Sequence, residues 1–171
     1  MTIRRLLDGL YLAAGAVAAL LLAGTLVMVL AGIGARLMGI HIAGTDAYAG
    51  YCMAGAGFLA LAHTLKRGEH IRVSLLLDRA GDRMQRALDL WSLAVAALLS
   101  GLFAFYSVRL SLQSWQFNDI STGNDATPLW IPQLAMAAGT VILLVAVVDE
   151  LVLELRGKRP RSRPGEALHV E

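Results

Sequence analysis

The stretch LKRGEHIRVSLLLDRAGDRMQR, Leu65–Arg86, holds six of the chain's fifteen Lys and Arg residues, yet Leu, Ile, Val and Met interrupt the charge throughout. A solvated loop, a nucleic-acid patch and a segment lying on a membrane would each use such a mixture differently. The surroundings decide. Of 171 residues, 57% are hydrophobic and only 16% charged, and mean hydropathy is +0.61. A soluble domain averages about 45–50% apolar and about 25% charged, so composition places the chain in a membrane. The high pI rests on a net charge of only +2. Cys52 is the one cysteine, which excludes a disulfide framework, a zinc cluster or a CxxC pair within one chain.

Four apolar segments flank the opening stretch, at about residues 9–33, 47–65, 88–112 and 129–153. Each approaches the roughly 20 residues a helix needs to cross a hydrocarbon core of about 30 Å. They lack the alternation of barrel strands, and lipid tolerates only structures that satisfy their own backbone groups. The expected fold is therefore an all-α integral membrane domain over residues 1–155 with four transmembrane helices. The first segment follows Arg4 and Arg5 as a secretory signal would, but its apolar run exceeds the roughly 7–15 residues of a signal core. It is expected to stay as a spanning helix.

Orientation follows from the positive charges. Arg4 and Arg5 precede the first span, six Lys and Arg separate the second from the third, and Arg156, Lys158, Arg159, Arg161 and Arg163 follow the fourth. The first connection has only Arg36, and the third, QSWQFNDISTGNDATP, has none. Thirteen positive residues thus fall on one side and one on the other, with Arg109 inside the third span. Both termini are expected in the cytoplasm. Trp91, Trp115, Trp130, Tyr48 and Tyr51 fall near expected interfaces, where amphipathic rings are favoured, although each also suits ordinary packing. The tail at 156–171 is basic, contains Pro160, Pro164 and Gly165, and has little to bury; it is expected to be disordered.

At 100° per residue, Val73, Leu76, Leu77, Ala80, Met84, Ala87 and Leu88 share one third of a helix, with Arg72, Arg79, Arg83 and Arg86 elsewhere. Ile71 and Leu75 break the pattern. This predicts an amphipathic helix over about residues 71–87, lying in the headgroup plane with arginines reaching lipid phosphates. The plainer alternative is a loop whose charges only set topology. The stretch lacks aromatic residues to stack on bases, so no nucleic-acid partner is expected.

Reactive chemistry is scarce. Arg109 lies well inside a span, and Gln113 and Tyr106 share its face. It could contact a partner protein or an acid of the outer loop, or snorkel to headgroups. Asp149, Glu150 and Glu154 near the inner end of the fourth span are expected to meet water or basic residues. His41, His63, His70 and His169 fall at positions unsuited to an opposed haem pair. No catalytic triad, phosphate loop or metal spacing occurs, so neither enzymatic activity nor a cofactor is expected. Small residues in the second span (Gly50, Ala54, Gly55, Gly57), with Gly15 and Gly24 in the first, suggest close helix packing.

The run RGEHIRVSLLLDR after the second span and PLWIPQLAMAAGTVILL opening the fourth resemble the small membrane subunit of TRAP transporters, the DctQ-like family. Four spans, a basic inner loop and the size agree; Ser74 departs from an acid common there. The resemblance implies a tripartite transporter of the bacterial inner membrane. A periplasmic binding protein captures an organic acid, a large membrane subunit moves it inward on a cation (sodium) gradient, and the small subunit braces the large one. By that analogy Arg36, Asp119 and Asp125 of the outer loops help dock the binding protein; alternatively they are solvated loop charges. The competing class is the membrane-anchor subunit of a redox complex, which an absorption spectrum would reveal by its haem band. A stand-alone four-helix membrane protein is a third.

Overall fold

A computed structural model describes residues 2–67 and 81–157. It contains four α-helices: α1 (Thr2–Leu37), α2 (Thr45–Arg67), α3 (Asp82–Gln116) and α4 (Trp130–Leu155). Three of them, α1, α3 and α4, are long and apolar enough to cross a membrane. The fourth, α2, has the length but not the composition, because Gly and Ala, together with Tyr48, Tyr51, His63 and Thr64, dilute its apolar content.

The helices outrun the apolar segments that announced them. At 1.5 Å per residue, α1 with 36 residues is about 54 Å long and α3 with 35 about 52 Å. The apolar runs mark what hydrocarbon accepts; the helices continue until the backbone is told to stop. For α1 the signal is Gly39, at φ +70°. Its N–H donates to Arg36 O at 3.2 Å, and the Ile40 N–H reaches back to Ala35 O at 2.9 Å. This is a Schellman ending, in which a left-handed glycine lets the chain satisfy the last carbonyls.

The same persistence corrects the expected boundary between an in-plane helix at 71–87 and a span beginning at 88. Helix α3 runs unbroken from Asp82, with the Gln85 N–H bonded to Gly81 O at 3.0 Å. Arg83, Met84 and Arg86 therefore belong to the first turns of a long rod, where Met84 is exposed. Arg72, Val73, Leu76, Leu77, Arg79 and Ala80 lie outside the described residues, as does the tail from residue 158.

In space the order is α1, α2, α4, α3: α2 packs on α1 and α4, and α4 packs on α2 and α3. Small residues set these approaches. A Cβ on Gly139 of α4 would lie 2.6 Å from the backbone of Phe58 on α2, and one on Gly55 would meet Leu21 of α1 at 2.9 Å and Ala135 of α4 at 3.2 Å. Gly15 lies against the His63 ring. Gly50 and Gly57, expected to pack, face open space. On α3 the buried positions Ser100, Ala104, Ser107, Ser111 and Ser114 recur at spacings of four and three, forming a seam of small side chains along one face. The Ser100 hydroxyl donates to Ala96 O at 2.7 Å within its own helix.

Large apolar side chains point outward instead. Leu20 is 71% exposed, Leu98 64% and Phe105 61%. Water would punish such a surface, and a monomeric soluble protein rarely carries one. Small residues inside and large ones outside is the arrangement expected where lipid is the solvent and helices associate by close packing.

Candidate functional site

Polar chemistry gathers at the two ends of the helix row. At the end formed by the start of α1, the end of α2 and the end of α4, Lys66 is the centre. Its ammonium donates to Asp149 Oδ2 and, at 2.9 Å, to Glu150 Oε1. It also sits 5.4 Å from the centroid of the Tyr11 ring, a cation–π contact. The Lys66 side chain is 16% exposed and its partners 25% and 14%. Tyr11, Ala62 and Ala146, one from each of three helices, make the buried cluster beside it, with Leu7, Leu65 and Ile142 packed around. The expectation that Asp149 and Glu150 meet water or basic residues resolves into one specific lysine. Tyr11 carried no sequence signal beyond its apolar neighbours.

At the opposite end the two connections, residues 38–44 and 117–129, meet. The second is pinched by an Ile120–Pro128 bridge, with Ser121 N–H to Thr127 O at 2.8 Å and Leu129 N–H to Asp119 O at 2.9 Å. Asn118 and Ala126 take φ values of 52° and 46° to close it. Asp125 ties this loop to α2. The Ser121 hydroxyl donates to its Oδ1 at 2.7 Å and the Tyr51 hydroxyl to its Oδ2 at 2.9 Å. The Ser121 hydroxyl is the main cause that lowers its carboxyl from 3.8 to about 2, against an opposing desolvation; Thr127 and Tyr51 add to the lowering. Thr127 donates to the Tyr48 hydroxyl at 3.2 Å, and the Tyr48 and Tyr51 rings meet edge to face at 6.1 Å. Tyr48 and Tyr51 thus fasten a loop, a role that interface preference alone did not suggest.

The other outer-loop charges are placed differently. Arg36 pairs with Asp46 at 2.8 Å, both largely exposed. The Asp119 side chain is exposed, its backbone already spent on Ser114 and Leu129. Between the two connections lies a depression of about 260 Å³, lined in part by Arg36, His41, Asp46 and Asn124.

Arg109 and Gln113 sit on the exposed side of α3, at the mouth of a groove of about 680 Å³ that α3 forms with Val141 and Leu144 of α4. No acid pairs with Arg109 among the described residues. Nor is there, among them, a group of three or more His, Cys, Asp or Glu that could hold a metal. The arrangement offers packing surfaces, a fastened loop end and an ionic lock, without groups poised for covalent chemistry.

The family described as "Tripartite ATP-independent periplasmic transporters, DctQ component" matches residues 24–157. That region takes in the end of α1, all of α2, α3 and α4, and both connections at the loop end. No curated protein and no solved structure matches the chain.

Proposed function

The chain belongs to the DctQ-component family of tripartite ATP-independent periplasmic transporters, and from that premise we propose that it is the small scaffolding subunit of such a transporter. It is a multi-pass membrane protein and a transport component, not an enzyme. The observation that carries the proposal is the family match across residues 24–157.

In this reading α2 is a fourth span. Its modest apolar content suits a helix flanked by α1 on one side and α4 on the other, which meets less lipid than its neighbours. Both termini are cytoplasmic in a bacterial inner membrane, and the loop end faces the periplasm, in keeping with the thirteen-to-one division of positive charge. The basic segment between α2 and α3, with Arg72, Val73, Leu76, Leu77, Arg79 and Ala80, rests on the inner headgroups and feeds into the α3 rod at Arg83, Met84 and Arg86.

The subunit carries no transported solute of its own. It holds a large membrane subunit in place while that partner moves an organic acid, delivered by a periplasmic binding protein and driven by a cation gradient, sodium in this family. At the loop end Asp119 and the Arg36–Asp46 pair are accessible to a docking protein. Asp125 is committed to holding the loops together.

The test is reconstitution. The tagged chain should co-purify with a much larger, many-helix membrane protein. Vesicles holding both subunits, the binding protein and a sodium gradient should accumulate solute, and vesicles holding the chain alone should not. Accumulation by the chain alone, or purification without a large partner, would overturn the reading.

A further inference from the structure

The groove beside Arg109 has features that the scaffold role does not require. It runs along α3 from Gly101 to Gln116, about 22 Å at 1.5 Å per residue, with Val141 and Leu144 of α4 as its other wall. Its lower part, from Gly101 to Val108, is apolar. Its upper part, toward the loop end, carries Arg109, Gln113 and Gln116. Arg109 lies seven residues from the end of α3, about 10 Å along the axis, within reach of the headgroup layer for an extended arginine. Below it the apolar part covers about 12 Å, close to the roughly 15 Å depth of one leaflet.

The charge on Arg109 has no answer within the described residues. The nearest acids in sequence belong to the 117–129 loop. Asp125 there is occupied by Ser121 and Tyr51, and neither Asp119 nor Asp125 pairs with the guanidinium. A cation on an apolar helix face is stabilised by an anion beside it, and a guanidinium flanked by two amides suits a phosphodiester, whose oxygens accept several N–H bonds at once. The anion that a membrane supplies at this depth, with an apolar chain attached, is a phospholipid.

We propose that the α3–α4 groove is a binding site for one phospholipid of the leaflet on the loop side. Its phosphate lies on Arg109 with Gln113 and Gln116 donating, and one acyl chain lies along Ala104, Val108 and Leu144. The lipid neutralises Arg109 and fills the groove that α4 leaves open.

The test uses the full-length chain, delipidated in mild detergent and titrated with phosphatidylglycerol while adducts are followed by native mass spectrometry. The wild type should show a saturable one-to-one adduct that inorganic phosphate does not displace. Arg109→Gln, which removes the charge-assisted bonds, should weaken it by about tenfold or more. Val141→Trp, which fills the groove from α4 and leaves Arg109 intact, should weaken it comparably. Leu112→Trp blocks from α3 and serves if the first blocking variant loses helical circular dichroism. Absence of a saturable adduct in the wild type, or charge and blocking variants that form the adduct as tightly as the wild type does, would overturn the site. So would displacement by free phosphate, which would make it an anion site without a lipid. Loss of the large subunit on Arg109→Gln with the lipid adduct unchanged would make this a protein contact instead.

Discussion

Replacing Lys66 with Met keeps most of the aliphatic stem and removes the ammonium. Asp149 and Glu150 then lie side by side without the cation that joins them, at a site where all three side chains are at least three-quarters shielded. Breaking a fully buried pair by deleting one partner costs about 3–5 kcal/mol, and exposed pairs contribute about 0–1 kcal/mol. Residual exposure of 14–25% argues for discounting the buried figure, which leaves about 2–3 kcal/mol for the lock, the Tyr11 contact included. For a chain of this size that corresponds to a melting temperature lower by about 4–12 °C. The measurement is thermal unfolding in mild detergent followed by circular dichroism. A second variant separates charge from packing: Lys66→Met combined with Asp149→Asn should recover part of the loss, since the Asp149 carboxylate that Lys66 held is then neutral. A melting temperature unchanged by Lys66→Met, or a combined variant less stable than the single one, would refute the reasoning.

Three further outcomes follow from geometry already described. Gly139→Ala should lower stability by about 1–3 kcal/mol, because the new Cβ cannot coexist with the Phe58 backbone at 2.6 Å; Gly57→Ala, in open space on α2, should be neutral or stabilising by up to about 1 kcal/mol, and paired melts compare them. The carboxyl of Asp125 is lowered from 3.8 to about 2, so its contribution to loop order is present above the unfolded value and lost as pH falls through about 2. Hydrogen exchange at Ser121 and Leu129 should stay slow at pH 4 in the wild type, and in Tyr51→Phe protection should fail at higher pH. Joint charge reversal, Arg36→Glu with Asp119→Lys, should change stability by less than about 1 kcal/mol since both sites are exposed; binding-protein affinity in the reconstituted complex should fall, and unchanged affinity and uptake would remove these loops from docking.

Helix number and placement were legible because apolar runs of this length leave little choice of structure. Helix ends were not, because hydropathy reports the solvent around a backbone and not its conformation; Gly39 stops α1 while Asp82–Ala87 simply extend α3. The serine seam on α3 was invisible for a related reason. Serine reads as polar in a hydropathy profile, yet its small volume is what packing selects; the Ser100 hydroxyl is satisfied by the preceding turn, while those of Ser107 and Ser111 are buried without a hydrogen-bond partner among the described residues. Arg109 and Gln113 stood out in the sequence by being polar where lipid is expected. Lys66 was counted only as one topology-setting charge of many. Its partners are 83 and 84 positions away, a separation closed because α4 runs beside α2 and parallel to it.

The spatial order α1, α2, α4, α3 has a mechanical consequence. Four rods stand in a row more than a ring, although Phe58 of α2 also meets Phe103 of α3 at 5.7 Å and Tyr11 of α1 shares a buried cluster with Ala146 of α4. Each rod grips mainly its neighbours in that order, and the two contacts that reach past a neighbour hold the row against curling about the membrane normal. The fastenings at the two ends, Tyr51 with Asp125 and Lys66 with Asp149, limit how far adjacent rods can splay.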